Sequence, residues 1–261
     1  MRISEIAPGE KRIVRTTKFD EVWNKLIVPN CSEILKIYIS SDNLLYRGTK
    51  DVGHIFRGSS RTNRFPRDSY LLLNELFDVG LRESGMPALR SNSLFVSNSS
   101  WVAEDFGNNL YIIFPLDGFE YTWTKHSDII LTNKLAFLET WANMDVVDII
   151  DRAWKEDSDN YRHYQNWLFD FELINSAKSL DANLSNINEL LIRNNYPPIK
   201  AIDLIDIAKF RNYIGPQNTN LLDIMYASKY EHHEVMIKGS YYAFDVNFYE
   251  NKIKYRLSEM D

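Results

Sequence analysis

Cysteine is the scarcest reactive residue in this sequence, because Cys31 is the only one among 261 residues. A single cysteine excludes an internal disulfide and suits a reducing compartment. Free cysteines are among the residues most often found buried. We therefore interpret Cys31 as a core position and not as a nucleophile.

Long apolar runs are absent as well. No stretch of about 18 consecutive apolar residues occurs, so we expect no membrane-spanning helix. The first residues, MRISEIAPGEKRIVRTTK, lack the apolar segment of a signal peptide. These two absences predict a cytoplasmic protein that does not associate with a membrane.

Positive charge is in deficit overall, yet it is concentrated in one part of the chain. The net charge is −6, but residues 47–90 carry eight Lys or Arg against five Asp or Glu. Residues 133–190 carry five against eleven. The acidic segment argues against a protein that coats nucleic acid, whereas the basic segment leaves room for a local anionic ligand.

The hydrophobic pattern predicts strands on both sides of a helical block, which indicates an α+β fold and not a doubly wound parallel sheet. We expect one domain, 1–261, with a mostly helical insertion at about 125–220. The predicted helices are 18–40 with a break at Pro29, 69–83, 100–106 and most of 133–214; the predicted strands are 44–47, 94–96, a hairpin of 110–115 and 119–123, and 241–248, with a loop at 51–68.

A first candidate segment is LLYRGTK, in which Arg47 ends a predicted strand and Gly48 follows it. An arginine can hold a phosphate with two parallel hydrogen bonds, and a glycine lets a ligand approach the backbone. The alternative is a surface arginine paired with Asp42 or Asp51.

A second candidate segment is SLFVSNSSWVAEDFG, where Ser97-Asn98-Ser99 lies between a predicted strand and a predicted helix. Serine hydroxyls can orient a carboxylate or a sugar in a binding site. Ser99 also suits the N-cap of the following helix, which is the simpler role for it.

A third candidate segment is YEHHEVMIKGSYYAF, in which Glu234 opens an apolar strand pattern. A carboxylate there could stabilise a developing positive charge. Glu231 is an alternative for that role, although it lies farther from the apolar run.

In this order the three segments resemble the Arg…Ser-x-Ser…x-x-Glu pattern of the ADP-ribosyltransferase family, and in particular its toxin-like mono-ADP-ribosyltransferases. The resemblance covers about 44–124 and 225–250. It implies split antiparallel sheets around an NAD cleft, with N-terminal helices and a helical insertion. It also implies NAD as the substrate and no metal.

The resemblance implies a role for each matched residue. Arg47 and Gly48 would bind the phosphate and ribose region of NAD together with Ser97 and Ser99. Ser97 would orient the catalytic Glu234, which would contact the 2′-hydroxyl of the nicotinamide ribose. Cleaving the nicotinamide–ribose bond passes through an oxocarbenium-like transition state, so a nearby carboxylate is the group that this chemistry needs.

His232 is the largest departure from the family pattern, because arginine-modifying relatives carry Glu and several amide- or base-modifying relatives carry Gln at this position. A histidine can orient an acceptor or take its proton near neutral pH, so we add His232 to the catalytic candidates. Asn98 in place of Thr is a milder departure. His232, His233 and the two glutamates lack the helical spacing of a zinc site, so we expect no metal.

Four arginines follow the first segment, namely Arg57, Arg61, Arg64 and Arg67. They could cradle an anion close to NAD or bind a nucleic-acid acceptor. They could equally form a solvated loop that pairs with the acidic segment. An aromatic stripe of Tyr111, Tyr121 and Trp123 favours core packing over base stacking.

The resulting prediction is a mono-ADP-ribosyltransferase that transfers ADP-ribose from NAD to a macromolecular acceptor. The arginines slightly favour a nucleic-acid base over a protein side chain. A toxin, a phage-defence protein or a phage protein would act this way in the cytoplasm of a bacterial or phage-infected cell, and a neutralising protein partner would suit the first two. The alternatives are an NAD glycohydrolase and a non-catalytic interaction module with this fold.

Overall fold

The computed structural model describes residues 9–14, 18–50, 53–62, 64, 71–124, 140–156, 180–226 and 234–260. Within these ranges, eight strands form one antiparallel sheet. The strands are β1 (Lys11–Ile13), β2 (Tyr46–Thr49), β3 (Ile55–Ser59), β4 (Leu94–Ser97), β5 (Asn109–Pro115), β6 (Glu120–Trp123), β7 (Glu234–Lys238) and β8 (Ser240–Asp245). Their order across the sheet is β1-β3-β8-β5-β2-β4-β7-β6.

Helices precede, interrupt and follow the strands, which confirms the predicted α+β class. The helical elements are α1 (Phe19–Val22), a π-helical turn (Trp23–Ile27), α2 (Val28–Asn30), α3 (Ser32–Ser41), α4 (Leu71–Glu83), α5 (Ser100–Glu104), α6 (Met144–Glu156), α7 (Leu180–Arg193), a 3₁₀ turn (Ala201–Leu204), α8 (Ile207–Ile214), α9 (Leu221–Tyr226) and α10 (Val246–Ser258). None of the helices in the described ranges is long and apolar enough to cross a membrane.

The chain divides into two compact units. The first consists of Met1–Arg64, Met86–Ser127 and Gln217–Asp261 and contains the sheet. The second consists of Phe65–Gly85 and Asp128–Pro216, and its described elements are helical. The second unit includes residues 128–216 of the segment in which we expect a helical insertion, and it also includes α4.

Aromatic side chains of the N-terminal helices pack on the middle of the sheet in the first unit. The rings of Trp23 and Tyr38 meet Phe114 of β5 edge-on, at centroid distances of 5.8 and 5.4 Å. Phe19 meets Phe244 of the neighbouring β8 at 6.1 Å. Residues two apart on a strand share a face. The N-terminal helices cover the face that carries Phe114, so the residues of β5 and β2 that alternate with this set lie on the opposite face of the sheet.

The second unit has its own aromatic core. Phe77 of α4, Trp141 and Phe210 of α8 are buried and meet one another edge-on at centroid distances between 5.2 and 6.0 Å. A Cβ on Gly80 would lie 2.8 Å from the Phe210 ring, so α4 needs a glycine there to pack against α8.

The pairing between neighbouring strands is shortest between β2 and β4, which share a single residue pair, Tyr46 with Ser97. Strands β1-β3-β8-β5-β2 form one part of the sheet and β4-β7-β6 the other. The ends of β2, β4 and β7 meet at this junction.

The predicted loop at 51–68 was wrong in part, because Ile55–Ser59 within it forms β3. This strand pairs with both β1 and β8. Gly58 suggested a loop, but a Cβ there would lie 2.5 Å from the ring of Tyr241. Here the glycine makes room for a neighbouring aromatic side chain inside the sheet.

The predicted hairpin was also wrong, although both of its strands exist. Strand β5 pairs with β2 and β8, while β6 pairs with β7. The segment between β5 and β6 is bonded to distant parts of the chain and does not form a tight turn. Leu116 donates its N–H to the carbonyl of Ser240 at 2.9 Å, and the Asp117 carboxylate accepts from Ser32 and from the backbone N–H of Glu33 at the start of α3. Contacts with distant residues, not with each other, fix these two strands.

The last predicted strand, 241–248, ends at Asp245, where α10 begins. The side chain of Asp245 accepts a hydrogen bond from the backbone N–H of Asn247 at 2.9 Å. An aspartate at this position is a strong helix start, and it outweighs the alternating pattern that had extended the strand.

Candidate active site

Ser97 and Glu234 are register partners on the adjacent strands β4 and β7. Side chains directly opposite each other in an antiparallel pair lie on the same face, with Cβ atoms about 5 Å apart. Ser97 is buried, and the side chain of Glu234 is 19% exposed. Two residues 137 positions apart in sequence are thus placed side by side in a shielded environment.

The hydroxyls of Ser97 and Ser99 have different structural roles. The Oγ of Ser97 accepts the backbone N–H of Ser99 at 3.1 Å, which leaves its own hydrogen available to donate. The Oγ of Ser99 accepts the N–H of Val102 at 3.5 Å and caps α5. The capping role expected for Ser99 is confirmed, while Ser97 is the serine that adjoins Glu234.

Arg47 reaches from β2 to β4. Its Nη1 donates to the carbonyl oxygen of Phe95 at 2.5 Å, and Phe95 lies two residues before Ser97. Among the described residues the buried Nε of Arg47 has no hydrogen-bond partner. No ion pair joins Arg47 to Asp42 there, and Asp51 lies outside the described residues.

Gly48 allows close packing between β2 and α5. A Cβ at this position would lie 2.0 Å from the carbonyl oxygen of Ala103 and 2.8 Å from the nitrogen of Gly107. A Cβ on Gly107 would in turn lie 2.5 Å from the backbone nitrogen of Thr49. The approach that Gly48 permits is therefore that of the α5 backbone, which carries the Ser97–Ser99 segment.

Phe95 is a platform for two further arginines. The Cζ atoms of Arg64 and Arg90 lie over its ring at 3.9 and 4.7 Å from the centroid. At these distances a guanidinium is attracted by the face of an aromatic ring. The carbonyl of Phe95 holds Arg47 and its ring holds Arg64 and Arg90, so one residue organises three cations.

Arg90 forms an ion pair with the candidate catalytic carboxylate. Its Nη1 lies 3.1 Å from Oε2 of Glu234, and the two side chains are 10% and 19% exposed. Sequence reasoning did not single out Arg90. The available signal was its place in the basic segment 47–90, four residues before β4.

Five cations share this region with Glu234, namely Lys11, Arg47, Arg61, Arg64 and Arg90, and we call them the cation cluster. Burial and the nearby charges of Arg47 and Arg90 together lower the pKa of Arg64 to about 10. Burial, Arg47 and Arg61 together lower the pKa of Lys11 to about 8. Burial also lowers the pKa of Arg47, to which Arg61 contributes.

These shifts mean that the cations of the cluster repel one another, with Arg47 and Arg64 partly buried and Lys11 and Arg61 exposed. A bound anion would relieve that repulsion, so the cluster is suited to a multiply charged ligand such as a pyrophosphate.

Arg57 lies apart from the cation cluster. On β3 it is the register partner of Tyr242 and stands over that ring at 6.0 Å. Its neighbour Gly58 is the partner of Lys11 on the other face of the sheet. Arg57 therefore does not join Arg61 and Arg64, whereas Arg67, Glu231 and His232 lie outside the described residues.

Of the remaining residues, Tyr111, Trp123 and Cys31 lie in the core, and Tyr121 is partly buried against it. Tyr111 is fully buried against Phe56, and Trp123 is buried with its indole N–H on the carbonyl of Thr219. Cys31 is buried, and burial raises the pKa of its thiol far above the usual value. The core interpretation is confirmed for all three.

The described ranges contain no group of three His, Cys, Asp or Glu side chains that could hold a metal ion. Comparisons with models of protein families, with curated proteins and with solved structures found no match to this chain.

Proposed function

We propose that the protein is an NAD-dependent mono-ADP-ribosyltransferase. The observation that carries this proposal is the pairing of Ser97 with Glu234 in register beside the cation cluster. A carboxylate, an orienting hydroxyl and several phosphate-binding cations are the groups that cleavage of NAD requires, and here they stand at one strand junction.

The reaction breaks the bond between nicotinamide and C1 of its ribose. The bonding electron pair leaves with nicotinamide, and positive charge develops on the ribose ring. The Glu234 carboxylate stabilises that charge, and the Ser97 hydroxyl, one strand away, orients the carboxylate. The acceptor atom then bonds to C1 and releases a proton.

The pyrophosphate of NAD fits the part of the cation cluster around Arg47 and Arg64. The Phe95 carbonyl holds Arg47 through its Nη1 and the centroid of the Phe95 ring lies 3.9 Å from the Arg64 Cζ, so both guanidinium groups are held in place. Fork-shaped guanidinium donors match phosphate oxygens. Gly48 and Ser99 serve the same site indirectly, because they seat and cap α5.

The junction between β2 and β4 supports the proposed arrangement of the sheet. One residue pair joins the two parts of the sheet, as expected for split antiparallel sheets with NAD in the cleft between them. In this proposal the side chains at the junction line the NAD cleft.

The acceptor that we propose is a nucleic-acid base, ahead of a protein side chain. Arg61, Arg64 and Arg67 supply charge for a phosphate backbone, and His232 stands two residues before Glu234 in sequence to orient the acceptor or take its proton. A cytoplasmic toxin, a phage-defence protein or a phage protein would use this activity. For the first two we also propose a neutralising protein partner.

Incubation with NAD labelled in its adenylate part tests the proposal. DNA, RNA and a protein mixture are offered separately, and the label is then traced. Label on DNA or RNA supports the proposal. Label on protein supports the transferase activity but shows that the acceptor is a protein side chain. Free labelled ADP-ribose alone indicates an NAD glycohydrolase, and intact NAD in every arm indicates a non-catalytic module.

A further inference from the structure

We propose that Arg90 is the positioning residue that fixes the Glu234 carboxylate for the reaction, with Phe95 as its platform. The inference rests on the proposed function, and it assigns a role to a residue outside the Arg, Ser and Glu segments. Arg90 would act through Glu234 and not by contact with the acceptor.

The ion pair is placed where electrostatic attraction is strong. Its N–O distance is 3.1 Å, and both side chains are largely shielded from water. Hydrogen bonds between ionised groups are about twice as strong as neutral ones. Attraction between charges also rises as the surroundings become less polar. The Arg90 donor therefore restricts where the carboxylate can point.

The Phe95 ring fixes Arg90 in turn. The guanidinium lies 4.7 Å from the ring centroid, and Phe95 belongs to β4, the strand that also carries Ser97. Glu234 lies on β7 directly opposite Ser97. A side chain with three rotatable bonds needs such external support to hold one orientation.

Arg90 differs from the other arginines of the cluster in what it contacts. Arg47 binds a backbone carbonyl and Arg64 binds an aromatic ring. Arg90 binds the candidate catalytic carboxylate itself. We therefore expect loss of Arg64 to weaken NAD binding and loss of Arg90 to slow the chemical step.

Steady-state kinetics of nicotinamide release separate these effects. Arg90→Ala should lower kcat about 10- to 100-fold with little change in KM, since a misplaced catalytic group costs rate and not ground-state binding. Arg90→Lys should restore only part of the loss, because an ammonium lacks the planar fork. Arg64→Ala should raise KM, and Arg193→Ala, which removes an exposed cation paired with Glu189, should change neither constant.

Chemical rescue distinguishes positioning from folding. Added methylguanidine should restore part of the activity of Arg90→Ala and none of the activity of Glu234→Gln. A raised KM with unchanged kcat would overturn the proposal in favour of substrate binding. A faster Arg90→Ala variant would overturn it in favour of an inhibitory contact. A loss without rescue, accompanied by a lower unfolding midpoint, would leave only a structural role.

The wild-type protein and a double-mutant cycle separate this inference from the proposed function. Failure of the wild type to release nicotinamide would overturn the function and, with it, the catalytic role of Arg90. The unfolding midpoints of Arg90→Ala, Glu234→Gln and the double variant are independent of NAD. Non-additive midpoints support the contact, and additive midpoints in an active enzyme would overturn positioning.

Discussion

At the scale of single residues, the candidate site consists of several positively charged side chains around one carboxylate, that of Glu234. Arg64 and Arg90 lie on one ring, and Arg47 is held by the carbonyl of the same residue. Each of these contacts holds a cation without neutralising it. Such a cluster costs folding stability, which is typical of sites arranged to bind a charged ligand.

Lys11 gives this cost a measurable pH dependence. Its pKa is lowered from 10.5 to about 8 in the folded protein by burial and by Arg47 and Arg61. Between pH 8 and 10.5 the unfolded chain binds more protons, so stability should rise with pH. Below about pH 8 the ammonium is charged in both states and the full cost is present.

We expect the unfolding free energy of wild type to rise relative to that of Lys11→Met between pH 8 and 10.5. The measurement is a series of urea unfolding curves from pH 7 to about 10. Lys36→Met, an exposed position on α3, controls for the loss of a surface lysine. Parallel pH curves for wild type and Lys11→Met would contradict the prediction.

At the scale of elements, the decisive contact is the one between β2 and α5. Gly48 and Gly107 bring the strand and the helix region so close that neither position has room for a Cβ. The cap of α5 is Ser99, and its N–H binds Ser97. The packing of α5 on β2 therefore determines where Ser97 lies relative to Glu234.

Gly48→Ala should destabilise the protein by about 1–3 kcal/mol, as overpacking in a filled interior commonly does. It should also lower the rate of nicotinamide release at temperatures where the protein remains folded, because a displaced α5 moves Ser97. Denaturant unfolding and kinetics on the same sample measure both effects.

Gly85→Asn is the control, because Gly85 has no atom near its Cβ position and a φ of +78°, which asparagine tolerates. A Gly48→Ala variant as stable and active as this control would show that α5 does not determine the position of Ser97.

Elements defined by local patterns could be predicted from the sequence, and elements defined by distant partners could not. Helices α3, α4 and α5 and strand β4 follow from periodicity and capping. The hairpin failed because hydrogen bonds to residues far along the chain choose the partners of β5 and β6. The start of α10 was missed because the alternating apolar pattern continues past Asp245, the N-cap of this helix.

The same distinction applies to the candidate site. Arg47, Ser97 and Glu234 were identified because they stand in short ordered segments. Arg90 was not, since its significance lies in a contact with Glu234 across 144 residues. Arg57 was grouped with its neighbours in sequence, but strand β3 turns it to the other face of the sheet.

At the scale of the whole molecule, the net charge of −6 conceals the cation cluster. A nucleic-acid acceptor would be held locally by the cluster and repelled elsewhere. If so, neutralising Arg61, Arg64 and Arg67 together should reduce transfer to nucleic acid more than hydrolysis of NAD when both are measured at saturating NAD, where a raised KM for NAD does not limit either rate.

Salt titration tests this prediction. Fewer phosphate contacts release fewer counterions, so binding by the triple alanine variant should depend less steeply on salt than wild-type binding. Arg193→Ala again controls for the loss of an exposed arginine. An equal fall in transfer and hydrolysis would show that these arginines serve NAD or the fold.

The most direct test of the central claim is nicotinamide release by wild type, Glu234→Gln and Glu120→Gln. Glu120 is an exposed carboxylate on β6 paired with Lys238. We predict that wild type and Glu120→Gln cleave NAD at similar rates, and that Glu234→Gln is about 100-fold slower or worse at a temperature where all three proteins are folded. Release by Glu234→Gln at the wild-type rate would contradict the account.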